Sequence, residues 1–285
     1  MKESEPKVAT IIPIVKGLPR ATLSYFTKDN LAVGTFVRIP LRGGTVLGIV
    51  SNISDVRESK ADIKKASFSL KKLHSAKENS RLSNAFLRAS KRTADYYATT
   101  VGSILGAIIP KILLETPNLI NSSNNTESTN PKKEPLLIQL NQTERFQEYK
   151  SLIRESFARG QSILFCVPTH EEAMQAFDFF SVGIESFTYL ASNKGEKAFK
   201  ETFMQAHSNP HPILFICTAS FIAFNRSDLE TIILERENSR SYRTMSRPFI
   251  NIKTFLEYYA HESNKTLIMG DSVLSLETLY KEKQG

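Results

Sequence analysis

The sequence predicts a two-domain protein of α+β and α/β class: a small β-barrel-like domain with a helix, followed by a RecA-like, doubly wound parallel α/β lobe. Three observations predict it. Short β-forming segments joined by Gly and Pro fill the first seventy residues, strands and helices alternate after residue 135, and a polar stretch separates the two patterns. A length of 285 residues also suits two domains of roughly 150 residues each. We therefore divide the chain into residues 1–117, a flexible linker at 118–134 and residues 135–285.

The first domain contains four predicted strands. Residues 8–15 form an apolar run, residues 22–26 alternate between apolar and polar, and residues 35–41 are rich in β-formers. The turn Arg42-Gly43-Gly44 connects the third segment to residues 45–53, which is typical of a β-hairpin. A helical period follows over residues 80–100. Its predicted inward side chains are Leu82, Phe86, Leu87, Ala94 and Tyr97.

The second domain has the alternation of a parallel sheet covered by helices on both faces. We predict helices at residues 144–158, 170–180, 195–206 and 251–260, and strands at residues 162–167, 213–217, 231–234 and 266–269. Cys166 and Cys217 close two similar apolar strands. Two cysteines cannot build a disulfide framework or a four-ligand zinc site, so buried, reduced thiols are expected.

The excess of basic over acidic side chains lies entirely in the first domain. The chain carries a net charge of +8, yet residues 1–117 have 19 basic and nine acidic side chains, whereas residues 135–285 have 16 and 18. This asymmetry makes the first domain the candidate binder of a polyanion such as nucleic acid. No apolar run approaches the roughly 18 residues of a membrane span. We therefore expect no membrane association and a cytoplasmic, nucleoid-associated protein.

Several segments of the first domain together carry a family resemblance. They are Gly17-Leu-Pro-Arg20, Thr22-Leu-Ser-Tyr25, Gly34-Thr-Phe-Val-Arg-Ile-Pro40, Gly48-Ile-Val50, Ala94-Asp-Tyr-Tyr97, Val101-Gly-Ser-Ile-Leu105 and Ile109-Pro-Lys-Ile-Leu-Leu114. In this order and spacing they resemble the N-terminal 3′-end-binding domain of the PriA family of primosomal replication-restart helicases. The resemblance implies a pocket that holds the terminal nucleotide of a nascent strand at a stalled fork.

The residues of that pocket can be carried over from the family by position. The family's aromatic corresponds to Leu23, its acid to Ser24, its hairpin glycine to Gly43 and its lysine to Lys64. Loss of the aromatic removes base stacking of about 1–3 kcal/mol, and a hydroxyl replaces a carboxylate acceptor. We therefore expect weaker recognition of a free 3′ end. The other residues assigned to DNA contact are Lys65, Arg38 and Arg42.

The second domain resembles the first RecA-like lobe of the same family. The matching fragments are Arg159-Gly-Gln161, Val167-Pro168, Thr218-Ala-Ser220, Asp228-Leu229, Ile232-Ile-Leu234, Ser241-Tyr242 and Ser275-Leu-Glu-Thr278. The resemblance implies a phosphate-binding loop at residues 139–146, an acidic box at residues 235–238 and a coupling motif at residues 271–273.

The chemical positions of these motifs hold other residues. A phosphate loop needs glycines, a lysine and a hydroxyl for Mg²⁺. The glycine positions are filled by Gln139, Gln142 and Glu144, the lysine position by Arg145, and the hydroxyl position by Phe146. In the acidic box, Arg236 replaces the catalytic acid, while Glu235 could still hold a cation. The coupling motif reads Asp271-Ser-Val273.

These changes predict a pseudo-helicase without catalytic residues. We expect ATP and Mg²⁺ binding to be lost, no metal site, and no zinc-binding insertion, second lobe or winged-helix domain. The favoured function is a non-catalytic protein that binds forked or single-stranded DNA, or a 3′ end, together with other replication or primosome proteins. The alternatives are a residual or partner-completed ATP-dependent DNA helicase and a protein-interaction platform.

Three groups of residues leave two interpretations open. Tyr96 and Tyr97 either stack on DNA or form part of the core. Lys64-Lys65 and Lys71-Lys72 either follow a phosphate backbone or belong to an exposed loop face. The basic residues of the loop at 236–247 either line a DNA path or are neutralised by neighbouring acids. These basic residues are Arg236, Arg240, Arg243 and Arg247.

Overall fold

The computed structural model describes residues 6–15, 18, 21–41, 43–55, 71–73, 80–120, 132–191 and 195–284. These residues form a four-stranded antiparallel sheet, a group of helices, and a six-stranded parallel sheet flanked by helices. The predicted fold class is therefore confirmed. The predicted linker falls mostly on residues 121–131, which lie outside the described residues.

The antiparallel sheet contains β1 (Lys7–Pro13), β2 (Leu23–Thr27), β3 (Phe36–Leu41) and β4 (Gly44–Asp55) in the order β2-β1-β4-β3. The sheet curls so that its two edge strands approach each other, and the Tyr25 hydroxyl of β2 donates to the Pro40 carbonyl of β3 at 3.1 Å. Gly43 lies in the β3–β4 turn at φ +80°, a backbone conformation that glycine adopts without steric cost. The result is a half-barrel whose interior is apolar.

In the described residues after the half-barrel, three helices are present: α1 (Asn84–Tyr96), α2 (Val101–Ile108) and α3 (Lys111–Glu115). Ser83 begins α1 by accepting a hydrogen bond from the Phe86 amide at 3.2 Å, as an N-cap does. The predicted inward residues Leu82, Phe86 and Ala94 are buried. Helices α2 and α3 lie beyond the predicted helical segment of residues 80–100 and were not predicted.

The parallel sheet contains β5 (Leu136–Gln139), β6 (Ser162–Val167), β7 (Thr188–Ala191), β8 (Leu214–Thr218), β9 (Leu229–Glu235) and β10 (Thr266–Asp271). Its strand order is β5-β10-β9-β6-β8-β7. The helices around it are α4 (Gln142–Ala158), α5 (His170–Phe180), α6 (Glu196–Ser208), α7 (Ile252–Ser263) and α8 (Leu276–Gln284). The chain crosses from β5 over two other strands to reach β6. In open α/β sheets, ligands bind beyond the carboxyl ends of the strands.

The two cysteines are neighbours in the parallel sheet. Cys166 of β6 and Cys217 of β8 are partners in the register, and both are free and fully buried. Burial, together with the neighbouring Cys166 thiol, raises the pKa of Cys217. The expectation of buried, reduced thiols is confirmed.

The half-barrel and the α/β lobe share one apolar core. Phe86 of α1 packs edge-on against Phe255 and Tyr259 of α7, with ring centroids 4.9 and 5.3 Å apart. At the surface above them, the Glu262 carboxylate accepts from Arg88 at 2.8 Å and from Arg92 at 2.9 Å. The packing continues to Ile120, which is buried although it lies within the predicted linker. The two parts therefore meet directly along helix α1.

Among the described residues, no helix is long and apolar enough to cross a membrane. The same residues hold no group of three or more His, Cys, Asp or Glu side chains placed to bind a metal ion.

Candidate functional site

Leu23 and Ser24, the two altered residues of the predicted terminal-nucleotide pocket, face opposite sides of strand β2. Leu23 is half-buried and packs against the apolar interior of the half-barrel that contains Tyr25 and Ile39. Ser24 is exposed, because successive side chains of a strand alternate between the two faces. Gly43 is exposed in the hairpin turn. Lys64, Lys65 and Arg42 lie outside the described residues.

Basic side chains surround the half-barrel on its outer surface. Arg38 is exposed on β3 between two buried neighbours, so it points away from the interior. Lys71 and Lys72 are exposed on a segment that runs beside β2, where the Phe26 amide donates to the Lys71 carbonyl at 3.0 Å. The second lysine pair therefore lies next to the strand that carries Leu23 and Ser24.

The tyrosine pair on α1 is divided between core and surface. The Tyr97 hydroxyl accepts from the Asn251 amide at 3.0 Å and lies 3.2 Å from the Thr254 hydroxyl, which ties α1 to the start of α7. Tyr96 keeps 60% of its surface exposed. Of the two, Tyr97 has the structural role and Tyr96 is accessible for stacking.

The site predicted to have lost its nucleotide lies where β5, β9 and β10 end and α4 begins. Phosphates bind at such helix N-termini through free backbone N–H groups. Here Asn141 caps α4, and its side chain accepts from the Glu144 amide at 3.0 Å. Gln142 and Glu144 are exposed in the first turn of the helix, so a carboxylate stands where a phosphate would approach.

Arg145 is buried and forms a bidentate ion pair with Glu235. Its relative exposure is 1%, and its Nε donates to Glu235 Oε2 at 3.1 Å while Nη2 donates to Oε1. Nη1 donates to the Leu140 carbonyl and to Ser272 Oγ, the latter at 3.1 Å. Burial lowers the pKa of Arg145, but the hydrogen bond and charge of Glu235 outweigh it and raise the pKa overall. The cation bound by Glu235 is thus the side chain of Arg145 from the same lobe.

Tyr149 completes this buried cluster. Its hydroxyl donates to Glu235 Oε2 at 2.9 Å, and burial followed by the Glu235 charge raises its pKa well above the ordinary value. Gly270 makes room for the ring, since a Cβ at that position would lie 1.8 Å from the Tyr149 oxygen. Phe146, one residue after Arg145, packs with Phe179 and Phe180 in the core.

Two further residues of the acidic box, Arg236 and Glu237, also form ion pairs. The Arg236 guanidinium pairs with Glu172 on α5 rather than with the acids of its own loop. Glu237 is fully buried and accepts from Lys253 Nζ at 2.8 Å. Lys253 also donates to the Ser275 and Thr278 hydroxyls, each at 2.9 Å. Lys253 was missed from sequence, although a lysine amid the apolar residues of α7 was a signal for a buried partner.

The remaining arginines of the loop after β9 stay at the surface. Arg240, Arg243 and Arg247 are exposed, together with Met245 and Phe249. Of the four arginines in the predicted basic cluster, Arg236 is the one that forms an ion pair with an acid within the described part of the chain.

The residues of the nucleotide site do not fit a triphosphate with Mg²⁺. Both oxygens of Glu235 accept from Arg145, and one accepts from Tyr149 as well. The helix N-terminus is capped by Asn141, and the position of the Mg²⁺ hydroxyl holds a core phenylalanine. A nucleotide would have to break this buried ion pair in order to reach the carboxylate.

Comparisons with known proteins agree with the architecture. Residues 10–110 match the family model of the PriA 3′DNA-binding domain (3′BD). The chain is 22% identical over 272 residues to the replication restart protein PriA of Helicobacter pylori strain J99, and 24% identical to that of strain 26695. The chain is thus similar to PriA proteins over most of its length.

The likeness to PriA extends beyond the half-barrel. Each alignment covers 92% of this chain, so it includes the α/β lobe as well as the 3′DNA-binding domain. It covers 42% of each relative, so the chain spans about two fifths of the length of these PriA proteins.

Proposed function

We propose that this PriA-like chain is a non-catalytic DNA-binding protein of replication restart, which contacts forked DNA or single-stranded ends through its half-barrel. The observation that carries the proposal is the match of residues 10–110 to a 3′DNA-binding domain. The curled antiparallel sheet and the basic excess of residues 1–117 support it. Other replication proteins are the proposed protein partners.

The charge distribution supports contact with the phosphate backbone. Arg38, Lys71 and Lys72 are exposed on the half-barrel, and Lys71 and Lys72 lie beside β2. Such contacts position DNA without reading its sequence, and their affinity falls as salt rises because bound counterions are released. Binding should therefore depend strongly on salt and weakly on sequence.

The pocket residues support weak reading of the DNA end. Leu23 belongs to the apolar interior and offers no aromatic face for a base. Ser24 is on the opposite face of the strand, and its neutral hydroxyl is a weaker acceptor for a terminal hydroxyl than a carboxylate. We propose that the half-barrel binds the region of a fork junction and discriminates little between free and blocked 3′ ends.

The buried ion pair supports the loss of catalysis. Arg145 and Glu235 satisfy each other, and freeing the carboxylate for a metal would leave a buried charge without its partner. We propose that the lobe neither binds ATP with Mg²⁺ nor hydrolyses ATP.

Fluorescence anisotropy tests the DNA-binding part. Forks with a free or blocked 3′ end and a blunt duplex of equal length are titrated with the whole chain at low and moderate salt. We expect both forks to bind with similar affinity and more tightly than the duplex. Absence of fork binding at low salt would contradict the proposal.

Phosphate release tests the second candidate function, a residual or partner-completed helicase, for which the complete six-stranded lobe is the supporting observation. We expect no DNA-stimulated hydrolysis of ATP by the whole chain. Hydrolysis that is lost in the Arg145→Ala variant would establish the enzyme instead. Fork binding without hydrolysis would support the non-catalytic function. Absence of both fork binding and hydrolysis would favour a protein-interaction platform.

A further inference from the structure

The guanidinium of Arg145 lies among oxygen atoms of the kinds that bind hard metal ions. It donates to both carboxylate oxygens of Glu235, to the Leu140 carbonyl and to the Ser272 hydroxyl. Carboxylate, carbonyl and hydroxyl oxygens are also the ligands of Mg²⁺ and Ca²⁺ in proteins. The Arg145 guanidinium therefore occupies a set of oxygen ligands that would also suit a metal cation.

These oxygens come from separate parts of the lobe. Leu140 follows β5, Glu235 ends β9 and Ser272 follows β10, while Arg145 itself lies in the first turns of α4. Arg145 and Glu235 are 90 residues apart in the chain, and Arg145 and Ser272 are 127 apart. One buried cation thus joins four elements at the carboxyl ends of the strands, where a nucleotide would bind in a working lobe.

We infer that Arg145 is the resident cation of this lobe, and that it holds the ends of β5, β9 and β10 in one arrangement without nucleotide or metal. The inference rests on the proposed loss of nucleotide binding and extends it to how the lobe is regulated. The lobe keeps a single state, so neither its stability nor its DNA affinity responds to ATP.

A second consequence concerns the space that Arg145 fills. Truncation at Cβ removes the guanidinium and leaves the Glu235 carboxylate buried beside Tyr149, with no cation. An uncompensated buried charge is strongly destabilising. A small planar cation supplied in solution, such as methylguanidinium, should enter this space and restore part of the loss.

Thermal unfolding of the whole chain tests the inference with Arg145→Ala and a matched control, Arg154→Ala. Arg154 is on the same helix but exposed. We expect Arg145→Ala to unfold about 10 °C lower than the parent chain and Arg154→Ala to remain within a degree or two of it. Methylguanidinium should raise the midpoint of Arg145→Ala relative to tetramethylammonium at the same concentration, and should not do so for Arg154→Ala. Equal midpoints for the two variants, or equal responses to both ions, would overturn the inference.

A double variant keeps the test decisive if Arg145→Ala does not fold. Arg145→Met with Glu235→Gln removes both charges, so it should fold and be more stable than Arg145→Met alone. A double variant less stable than the single one would contradict the inference.

Nucleotide addition, together with fork binding, separates this inference from the DNA-binding part of the proposed function. Addition of ATP with Mg²⁺ should leave the unfolding midpoint of the parent chain unchanged, since a ligand that binds the folded state would raise it. A raised midpoint would overturn the inference even if DNA binding were normal. Failure to bind forks would contradict the DNA-binding proposal and leave the ion-pair result standing.

Discussion

Gly270 leaves the space that the Tyr149 side chain occupies. The Tyr149 ring passes over the backbone of β10 at a point where any side chain would collide with its hydroxyl. That hydroxyl supports Glu235, which in turn holds Arg145. The glycine on β10 is therefore part of the same buried cluster, although it contributes no polar side chain.

Substitution of Gly270 by Ala should destabilise the chain by about 1–3 kcal/mol, because the new methyl group overpacks the cluster. The free energy of unfolding in urea measures the effect. Gly106→Ala is the control, since a Cβ there would lie 3.5 Å from the nearest side-chain atom, within ordinary contact distance. Addition of Tyr149→Phe to Gly270→Ala should recover part of the loss, and no recovery would show that the hydroxyl is not the obstacle.

Lys265 has a buried side-chain amine, and its protonation in the folded state lowers the stability of the fold. It lies between α7 and β10, and its Nζ donates to the Leu229 carbonyl. Burial lowers its pKa from 10.5 to about 8. Below pH 8 the lysine is charged in both folded and unfolded chains, and the folded state bears the full cost of burial. Between pH 8 and 10.5 the unfolded chain binds more protons, so this residue's contribution to stability rises with pH.

Replacement of Lys265 by Met should therefore stabilise the chain at pH 7 by on the order of 2 kcal/mol. The advantage of the variant should shrink as the pH increases from 8 to 10. Urea unfolding of both chains across this range gives the difference directly. A difference that stays constant with pH would mean that Lys265 does not titrate in that window.

At the scale of elements, helices α1 and α7 determine how the half-barrel is held against the lobe. Their contact is aromatic and buried at the centre, with the Arg88 and Arg92 ion pairs to Glu262 at its margin. Exposed ion pairs contribute little to stability, so Phe86 carries most of this interface. The half-barrel is thereby fixed against the lobe by packing through α1.

The Phe86→Ala variant should lose about 3–5 kcal/mol of unfolding free energy, because it leaves a cavity between the two helices. The Arg92→Ala variant should lose less than about 1 kcal/mol. Urea denaturation followed by circular dichroism compares the two. Equal losses would place the stability of the junction in its ion pairs instead of its aromatic core.

At the scale of the whole molecule, the two parts differ in charge but not in packing. The half-barrel region carries the basic excess, while the lobe is nearly neutral and its acidic box is paired internally. Any field that attracts DNA therefore arises mainly from one side of a single packed body.

Reversal of charge at Lys71 and Lys72 tests this asymmetry. Replacement of both by Glu should weaken fork binding and reduce the slope of log affinity against log salt by about 0.7–0.9 for each phosphate that the protein no longer neutralises. Replacement of both Lys197 and Lys283 by Glu, at exposed positions of α6 and α8, makes the same change in net charge and should alter affinity little. Equal effects of the two changes would place the DNA path on the lobe.

Much of the fold was predictable from sequence. The strand Ser162–Val167 and helix α5 were predicted at their observed bounds, because long apolar or periodic segments are local signals. The short edge strands β5 and β7 were not predicted, since four residues carry too little pattern. Of the predicted pocket, Leu23, Ser24 and Gly43 are placed by the structure, and their role in binding DNA stays a prediction.

The sequence by itself determined the class of each domain, the change of charge between them and the absence of phosphate-loop glycines, because these depend on neighbouring residues. Only the tertiary structure decided that Arg145 meets Glu235, that Lys253 meets Glu237 and that α1 packs on α7. The physical reason is the strand order of a parallel sheet. It brings the ends of β5, β9 and β10 together from distant parts of the chain, and no local pattern records which charges then become partners.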